Sequence, residues 1–151
     1  MTERTESLLD LCASMPQTEY ASGEVLLSEG DRTGTLYVLI DGEVEIVRGD
    51  VQIDTAGTPG AVFGEISLLL DIPHTATVRT LRPSRFYKID RAAAFLVEHH
   101  ELIRELARIL AQRLNRTTNL LLDLKRHFGG LPAALIGVTL EADDRLPPTP
   151  L

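Results

Sequence analysis

Hydrophobic and polar residues follow different periods before and after residue 90. In the first part, apolar and polar residues alternate in short runs, at 36–40, 44–46 and 51–53. Asp41-Gly42 and Gly49-Asp50 lie between these runs and predict tight turns. Short strands with turns at this spacing predict an antiparallel sandwich or jelly roll.

Helical periods flank this strand region on both sides. Apolar residues within 1–15 predict a short amphipathic helix that ends before Pro16. Asp90 suits the N-cap of a second helical region, which a break near His99-His100 divides into two helices. The later helix carries an apolar stripe wider than one packing seam. One of its faces is expected to cover the sandwich and another to meet a second copy, giving a homodimer; the alternative is a monomer whose helix only covers the barrel.

These patterns predict a mainly β protein with flanking helices, built on an antiparallel β jelly roll. A short helix interrupts the strands within 63–78, and a long helix follows them. The predicted segments are an N-terminal helix at 1–15, the jelly roll at 16–91, the covering or dimerising helices at 92–129 and a tail at 130–151.

Composition narrows the classes of function. The 151 residues are 44% hydrophobic, which is enough for one core, and the net charge of −7 disfavours nucleic acid and anionic membranes as nonspecific partners. Cys12 is the single cysteine, so no intrachain disulfide or cysteine metal site is expected. Neither a membrane-spanning run nor a signal pattern is present, which predicts a cytoplasmic protein without membrane association. The adjacent His99 and His100 point in different directions on a helix and predict no metal site.

The candidate ligand site is the stretch 63–78. A glycine before a helix start lets an anion approach unpaired backbone amides. Glu65, in the first helical turn, either caps that turn or accepts hydrogen bonds from ligand hydroxyls. The stretch opens with Phe63, Gly64, Glu65, Ile66 and Ser67 and continues beyond the helix with His74, Thr75 and Ala76.

The Gly64-Glu65 pair, Pro73 and the run 76–78 resemble the phosphate-binding cassette of the cyclic-nucleotide-binding domain family. The resemblance covers roughly 18–128 and extends to the opening strands. It implies that Glu65 holds the ribose 2′-hydroxyl and that the cyclic phosphate lies near His74. Cyclic AMP and cyclic GMP are both candidate ligands, because Thr75 matches a position that kinase domains selective for cyclic GMP use to meet guanine.

His74 stands where the family has its phosphate-binding arginine. A neutral imidazole offers one donor in place of a charged fork, which costs about 1.5–3 kcal/mol. As a replacement, His74 is expected to bind best when protonated, near or below a pKa of about 6.5. The alternatives are that His74 is an exposed loop residue in a pocket that no longer works, or that Arg79 or Arg85 replaces the arginine.

The run 112–118 resembles the dimer helix of the bacterial cyclic-AMP receptor proteins. The resemblance implies that the hydroxyls of Thr117 and Thr118 reach the purine, the second from the opposite subunit, and it slightly favours cyclic AMP. A ligand that bridges the pocket and this helix shifts the population toward one helix arrangement.

The segment after Gly129-Gly130 has 21 residues and one basic side chain, Arg145. It is too short for the winged helix-turn-helix of the bacterial regulators, so no DNA binding by this chain is expected. The favoured function is a stand-alone, non-enzymatic sensor that binds a cyclic nucleotide and signals through its C-terminal helix to an unknown protein partner. One alternative is a degenerate dimerisation or protein-interaction module without nucleotide. The other is a metal enzyme of the cupin kind, which the single histidine before the helices disfavours.

Overall fold

The fold is given by a computed structural model that describes residues 7–128. These residues form eight strands and four helices. The strands are β1 Gln17–Tyr20, β2 Val25–Leu27, β3 Leu36–Asp41, β4 Val44–Arg48, β5 Val51–Ala56, β6 Val62–Phe63, β7 Thr77–Thr80 and β8 Ser84–Ile89. The helices are α1 Leu8–Leu11, α2 Glu65–Leu70, α3 Ala92–Glu98 and α4 His100–Phe128.

The strands form two four-stranded antiparallel sheets, in the orders β1-β8-β3-β6 and β2-β7-β4-β5. Residues from both sheets form one core, so the sheets pack face to face. The structure therefore confirms the predicted antiparallel sandwich with a short helix between its strands and a long helix after them. The predicted turns also form, with Gly42 and Gly49 both at positive φ.

Aromatic rings fill the centre of the core. Phe86 is fully buried and lies edge-to-face against Tyr20, Tyr37 and Phe63, with ring centroids 5.7, 5.9 and 6.3 Å away. The hydroxyls of Tyr20 and Tyr37 are 3.0 Å apart and hydrogen-bond to each other, which satisfies two polar groups beside the apolar rings. Phe63, the first residue of the candidate site, belongs to this cluster, so the structure places it in the core.

The first sheet is buried on both faces along most of its central strand β3. Leu39 pairs with Phe86 on the inner face, whereas Val38 pairs with Tyr87 on the outer face, and all four side chains are buried. Helix α1 contacts β3 and covers part of the outer face. The side chains of β3 therefore alternate between the two faces of the sheet, as expected. Their burial does not alternate, because both sides of the strand have a neighbour.

The helices begin and end at somewhat different places from those predicted. Helix α1 has only four residues and starts at a capping box formed by Ser7 and Asp10. The prediction that Asp90 caps α3 is wrong: Arg91 is the N-cap residue, and the Asp90 carboxylate accepts a hydrogen bond from the Thr35 hydroxyl at 3.1 Å. The expected break is confirmed, since α3 ends at Glu98 and α4 starts at His100.

The chain divides after Glu105 into two compact units, so α4 begins in the first and ends in the second. Within residues 7–128, every helix is too short or too polar to cross a membrane. The predicted tail at 130–151 and the first residues of the predicted N-terminal helix lie outside the described residues.

Candidate functional site

Gly64, the second residue of the candidate site, lies between β6 and α2. Gly64 is the N-cap residue of α2 with φ +92°, a conformation that side chains with a Cβ rarely adopt. A Cβ at this position would also lie 2.5 Å from the Thr35 carbonyl oxygen. Two independent constraints therefore demand glycine here, and the backbone of the site packs directly on the start of β3.

Glu65 is the first residue of α2 and is only 4% exposed. Burial of a carboxylate is costly unless polar groups compensate it, and Glu65 does make an interaction in its buried position. Ile66 is exposed on the same helix and Ser67 is half-buried, so α2 presents its first and third residues, but not its second, to the interior.

His74 is buried, with 5% of its surface exposed, so the proposal that it is an exposed loop residue is wrong. Its Nδ1 lies 2.7 Å from the Ser67 hydroxyl, and its Nε2 lies 2.8 Å from the Thr33 hydroxyl. Because the Ser67 hydroxyl donates to the Gly64 carbonyl at 3.1 Å, it accepts from Nδ1–H. Nε2 of the neutral ring then accepts from Thr33.

Burial lowers the pKa of His74 below its usual value of 6.5, and the nearby Asp31 offsets part of this effect. The imidazole is therefore neutral at pH 7. From the sequence we expected His74 to be protonated near or below pH 6.5. Because of this desolvation, its protonation requires a lower pH. A cation at this position requires either acid or an anion that stabilises the protonated ring.

The loop between β2 and β3, residues 28–35, binds the segment 71–74, in which the chain leaves α2 and runs back toward β7. The backbone N–H of His74 donates to the Asp31 carbonyl at 2.8 Å, and Gly30 donates to the His74 carbonyl at 2.9 Å. Arg32 donates to the backbone carbonyl and carboxylate of Asp71, both at 3.3 Å. The β2–β3 loop therefore fixes the stretch after α2 through backbone and side-chain bonds together.

A cavity of about 340 Å3 opens between the β2–β3 loop and α2. The hydroxyl-bearing residues that bond to His74 both line it, so the imidazole lies directly behind its wall. The lining residues are Arg32, Thr33, Gly34, Ser67, Leu68, Asp71, Ile72 and Ala93. The cavity therefore presents hydroxyl groups, an arginine and a carboxylate beside an apolar wall.

The arginines near the site differ from those expected from sequence proximity. Arg79 forms an ion pair with Glu45 on β4, and Arg85 is exposed on β8, which belongs to the other sheet. Arg48 instead donates from Nε to the Thr75 carbonyl at 2.9 Å. Arg48 was not identified from the sequence as a residue near the site. The alternation of Val44 and Ile46 along β4 could have indicated the face of the strand on which Arg48 lies.

The remaining predicted site residues fall into two groups. Thr75 and Ala76 follow His74 and are half-buried in the return to β7. Thr117 and Thr118 lie on α4 in the second unit, so their proposed contact with a purine stays a prediction.

The paired histidines and acidic residues form no metal site within the described part of the chain. No group of His, Cys, Asp and Glu side chains in residues 7–128 is arranged to hold a metal ion. His100 is exposed as expected, whereas His99 is half-buried and stacks on Phe95 with ring centroids 3.9 Å apart.

Substitution of Gly64 by alanine is expected to destabilise the domain by about 2–4 kcal/mol, because it combines a strained φ with a backbone clash. Gly49→Ala is the matched control: Gly49 also has positive φ, +64°, but an added Cβ meets nothing within 4 Å. The control should cost only about 1–2 kcal/mol. Urea unfolding measures both, and equal costs would contradict the close packing of Gly64 on Thr35.

Stability is expected to fall as the pH drops below 6.5, in part through His74. The pKa of folded His74 is lower than that of the unfolded chain, so the unfolded state binds the proton first. The contribution is thus complete above pH 6.5 and is lost as the pH falls through the folded pKa. A His74→Gln variant, unfolded in urea at several pH values, should show a shallower loss than the wild type. Parallel curves for the two proteins would contradict a depressed pKa.

Comparison with known proteins places this geometry in context. The family model for the cyclic nucleotide-binding domain matches residues 17–96. A CRP-like cAMP-activated global transcriptional regulator of Mycobacterium tuberculosis is 32% identical over 120 residues, which cover 76% of this chain and 54% of the regulator. The cAMP-dependent protein kinase regulatory subunit of Yarrowia lipolytica is 30% identical over 86 residues, 57% of this chain and 23% of the subunit.

Solved structures agree with the sequence relatives. The catabolite activator protein of Thermus thermophilus superposes with a TM-score of 0.63 at 29% identity, covering 78% of this chain and 58% of that one. The chain thus spans about half the length of the bacterial regulators that it matches. From the domain match, together with the sandwich and its short α2 helix, we conclude that the chain belongs to the cyclic nucleotide-binding domain family.

Proposed function

We propose that this regulatory domain binds a cyclic nucleotide at the cassette, residues 63–78, and transmits its presence through α4 to a protein partner. The observation that carries the proposal is the burial of two ionisable side chains in one cassette, Glu65 at 4% and His74 at 5% exposure. Apolar residues would serve a purely structural cassette at lower cost. The two side chains lie at the positions that the family resemblance assigns to the ribose and the phosphate.

The phosphate would meet hydroxyl groups as well as the imidazole. Ser67 and Thr33 each bond to His74, and a hydroxyl can rotate to donate to a phosphate oxygen instead. An anion beside His74 favours the protonated ring and raises its pKa on binding. Affinity is therefore expected to increase as the pH falls, without the permanent charge of an arginine.

The relatives support cyclic AMP as the first ligand to test. The names of the mycobacterial regulator and the Yarrowia kinase subunit both refer to cAMP. Thr75 keeps cyclic GMP as the second candidate. The partner is expected to be a protein, and a cytoplasmic location stays a prediction.

A homodimer formed through α4 is part of the proposal. Positions spaced alternately by three and four residues form a heptad line along this 29-residue helix. Leu114 and Phe128 on this line are 57% and 77% exposed, an arrangement that a second copy would cover. The line is made of Ala107, Leu110, Leu114, Thr117, Leu121, Leu124 and Phe128.

A second candidate function is a domain that mediates dimerisation or protein binding without nucleotide. The observation that favours it is that hydroxyls of the same chain already occupy both ring nitrogens of His74. A neutral, satisfied imidazole gives a phosphate no charged partner.

Isothermal titration with cyclic AMP and then cyclic GMP separates the two functions. We expect micromolar binding of cyclic AMP that is tighter at pH 6 than at pH 8, because the bound phosphate stabilises protonated His74. A His74→Arg variant should bind roughly ten- to a hundredfold more tightly and lose the pH dependence.

The opposite result is equally clear. If neither nucleotide binds to the wild type at millimolar concentration, the sensor function fails, and the domain without nucleotide takes its place. Recovery of binding in His74→Arg alone would identify the histidine as the cause of the lost function.

Replacement of Leu114 by lysine is expected to shift a dimer toward monomer, because it places a charge on the heptad line. Leu120 has the same exposure, 57%, but lies off this line, so Leu120→Lys is the matched control. Sedimentation equilibrium measures both variants beside the wild type. A monomeric wild type, or equal dissociation of the two variants, would refute a dimer through this line.

A further inference from the structure

We propose that Arg48, on β4 and outside the cassette, is the fixed cation that pairs with the phosphate of the bound nucleotide. The inference rests on the proposed function, since it requires that the cassette binds a cyclic nucleotide. It assigns the role of the missing cassette arginine to a residue from a neighbouring strand.

The register of β4 places Arg48 on the inner face of its sheet. Val44 belongs to the shared core and Ile46 packs against it, and β4 pairs regularly along β7 as far as Val47. The pairing of β4 with β5 is irregular between Ile46 and Val47, but the extra residue lies on β5, so the alternation along β4 continues to Arg48. Glu45 points the other way and binds Arg79. Arg48 thus extends from the inner face at the end of β4 that lies beside the return from the cassette.

One contact fixes where the guanidinium lies. The Nε of Arg48 donates to the Thr75 carbonyl at 2.9 Å, one residue beyond His74. Among the described residues, the two Nη groups of Arg48 have no hydrogen-bond or ion-pair partner. An arginine has five N–H donors, so four remain to meet an anion.

Three other arginines near the sheets are already paired with carboxylates. Arg32 binds Asp71, Arg79 binds Glu45, and Arg82 lies 3.7 Å from Asp41. Within residues 7–128, Arg48 is the arginine that both contacts the cassette and has no acidic partner. Its charge is therefore the one that an incoming anion can use without breaking an ion pair.

The charge of the molecule gives a fixed cation beside the cassette a clear role in the proposal. The net charge of −7 opposes the approach of a phosphate, and the buried imidazole of His74 is neutral at pH 7. A guanidinium keeps its charge at every pH of interest. Arg48 would supply a pH-independent part of the affinity, and His74 the part that increases in acid.

The test compares Arg48→Gln with Arg85→Gln by isothermal titration with cyclic AMP at pH 7.5. Both variants remove one positive charge from an exposed arginine on a strand, but Arg85 lies on β8 in the other sheet. We expect Arg48→Gln to weaken binding roughly ten- to a hundredfold and Arg85→Gln to leave it nearly unchanged. Thermal unfolding of each variant without ligand reports whether the fold is kept.

Ionic strength separates a charge effect from a structural one. Titration at about 0.1 and 0.5 M salt should weaken binding to the wild type, and less so to Arg48→Gln, because salt screens a cation–anion contact. Arg48→Lys keeps the charge and is expected to lose only several-fold in affinity. Arg48→Met also removes the charge, and it replaces Arg48→Gln in the test if the latter does not fold.

Three results would overturn the assignment. Unchanged cyclic AMP affinity in Arg48→Gln would refute it while leaving the proposed function intact. Lost affinity with the salt dependence of the wild type would mean that Arg48 only holds the Thr75 carbonyl. Absence of nucleotide binding to the wild type would refute the proposed function and this inference together.

Discussion

The hydrogen bonds of His74 to the β2–β3 loop are the interaction on which the shape of the cassette depends. The backbone of His74 pairs with Gly30 and Asp31, and its ring bonds to Thr33 and Ser67. Each such bond contributes about 1 kcal/mol net, but an unpaired buried group costs more. The network therefore acts as a unit: removal of one member leaves its partners unsatisfied in the interior. A single residue thus joins α2, the stretch after it and the β2–β3 loop.

This arrangement separates two properties that an arginine would combine. A guanidinium gives both a rigid set of donors and a charge, whereas buried His74 gives only the polar framework at pH 7. In the proposed phosphate site, the buried imidazole therefore gives a polar framework, and the charge would come from other groups. Two hydroxyls lie beside the imidazole, and Arg48 reaches the neighbouring residue from β4. Under this proposal, the affinity for an anion would depend on a strand that the cassette motif does not include.

The sequence predicted the sandwich well because alternation and glycine turns are local signals. The adjacent Gly64 and Glu65 predicted a helix start that the structure confirms, whereas their contacts with a ligand stay predictions. The prediction failed where a contact joins distant parts of the chain. The burial of His74 depends on the β2–β3 loop, and Arg48 meets Thr75 only because β4 pairs with β7. Asp90 has good capping chemistry, yet Thr35 takes its carboxylate across the fold. Contacts between distant parts of the chain decide which residues are neighbours here, and the spacing of residues along the sequence does not indicate such contacts.

The position of Phe63 in the aromatic core has a consequence for movement. Phe63 packs against Phe86, and the backbone of the next residue, Gly64, lies against Thr35. This end of the cassette cannot shift without opening a close-packed core. The other end, from Asp71 to His74, is held by hydrogen bonds to the β2–β3 loop, including those of the buried imidazole. Any movement of the cassette is therefore expected to turn about Gly64 and to require that the hydrogen bonds of His74 break first.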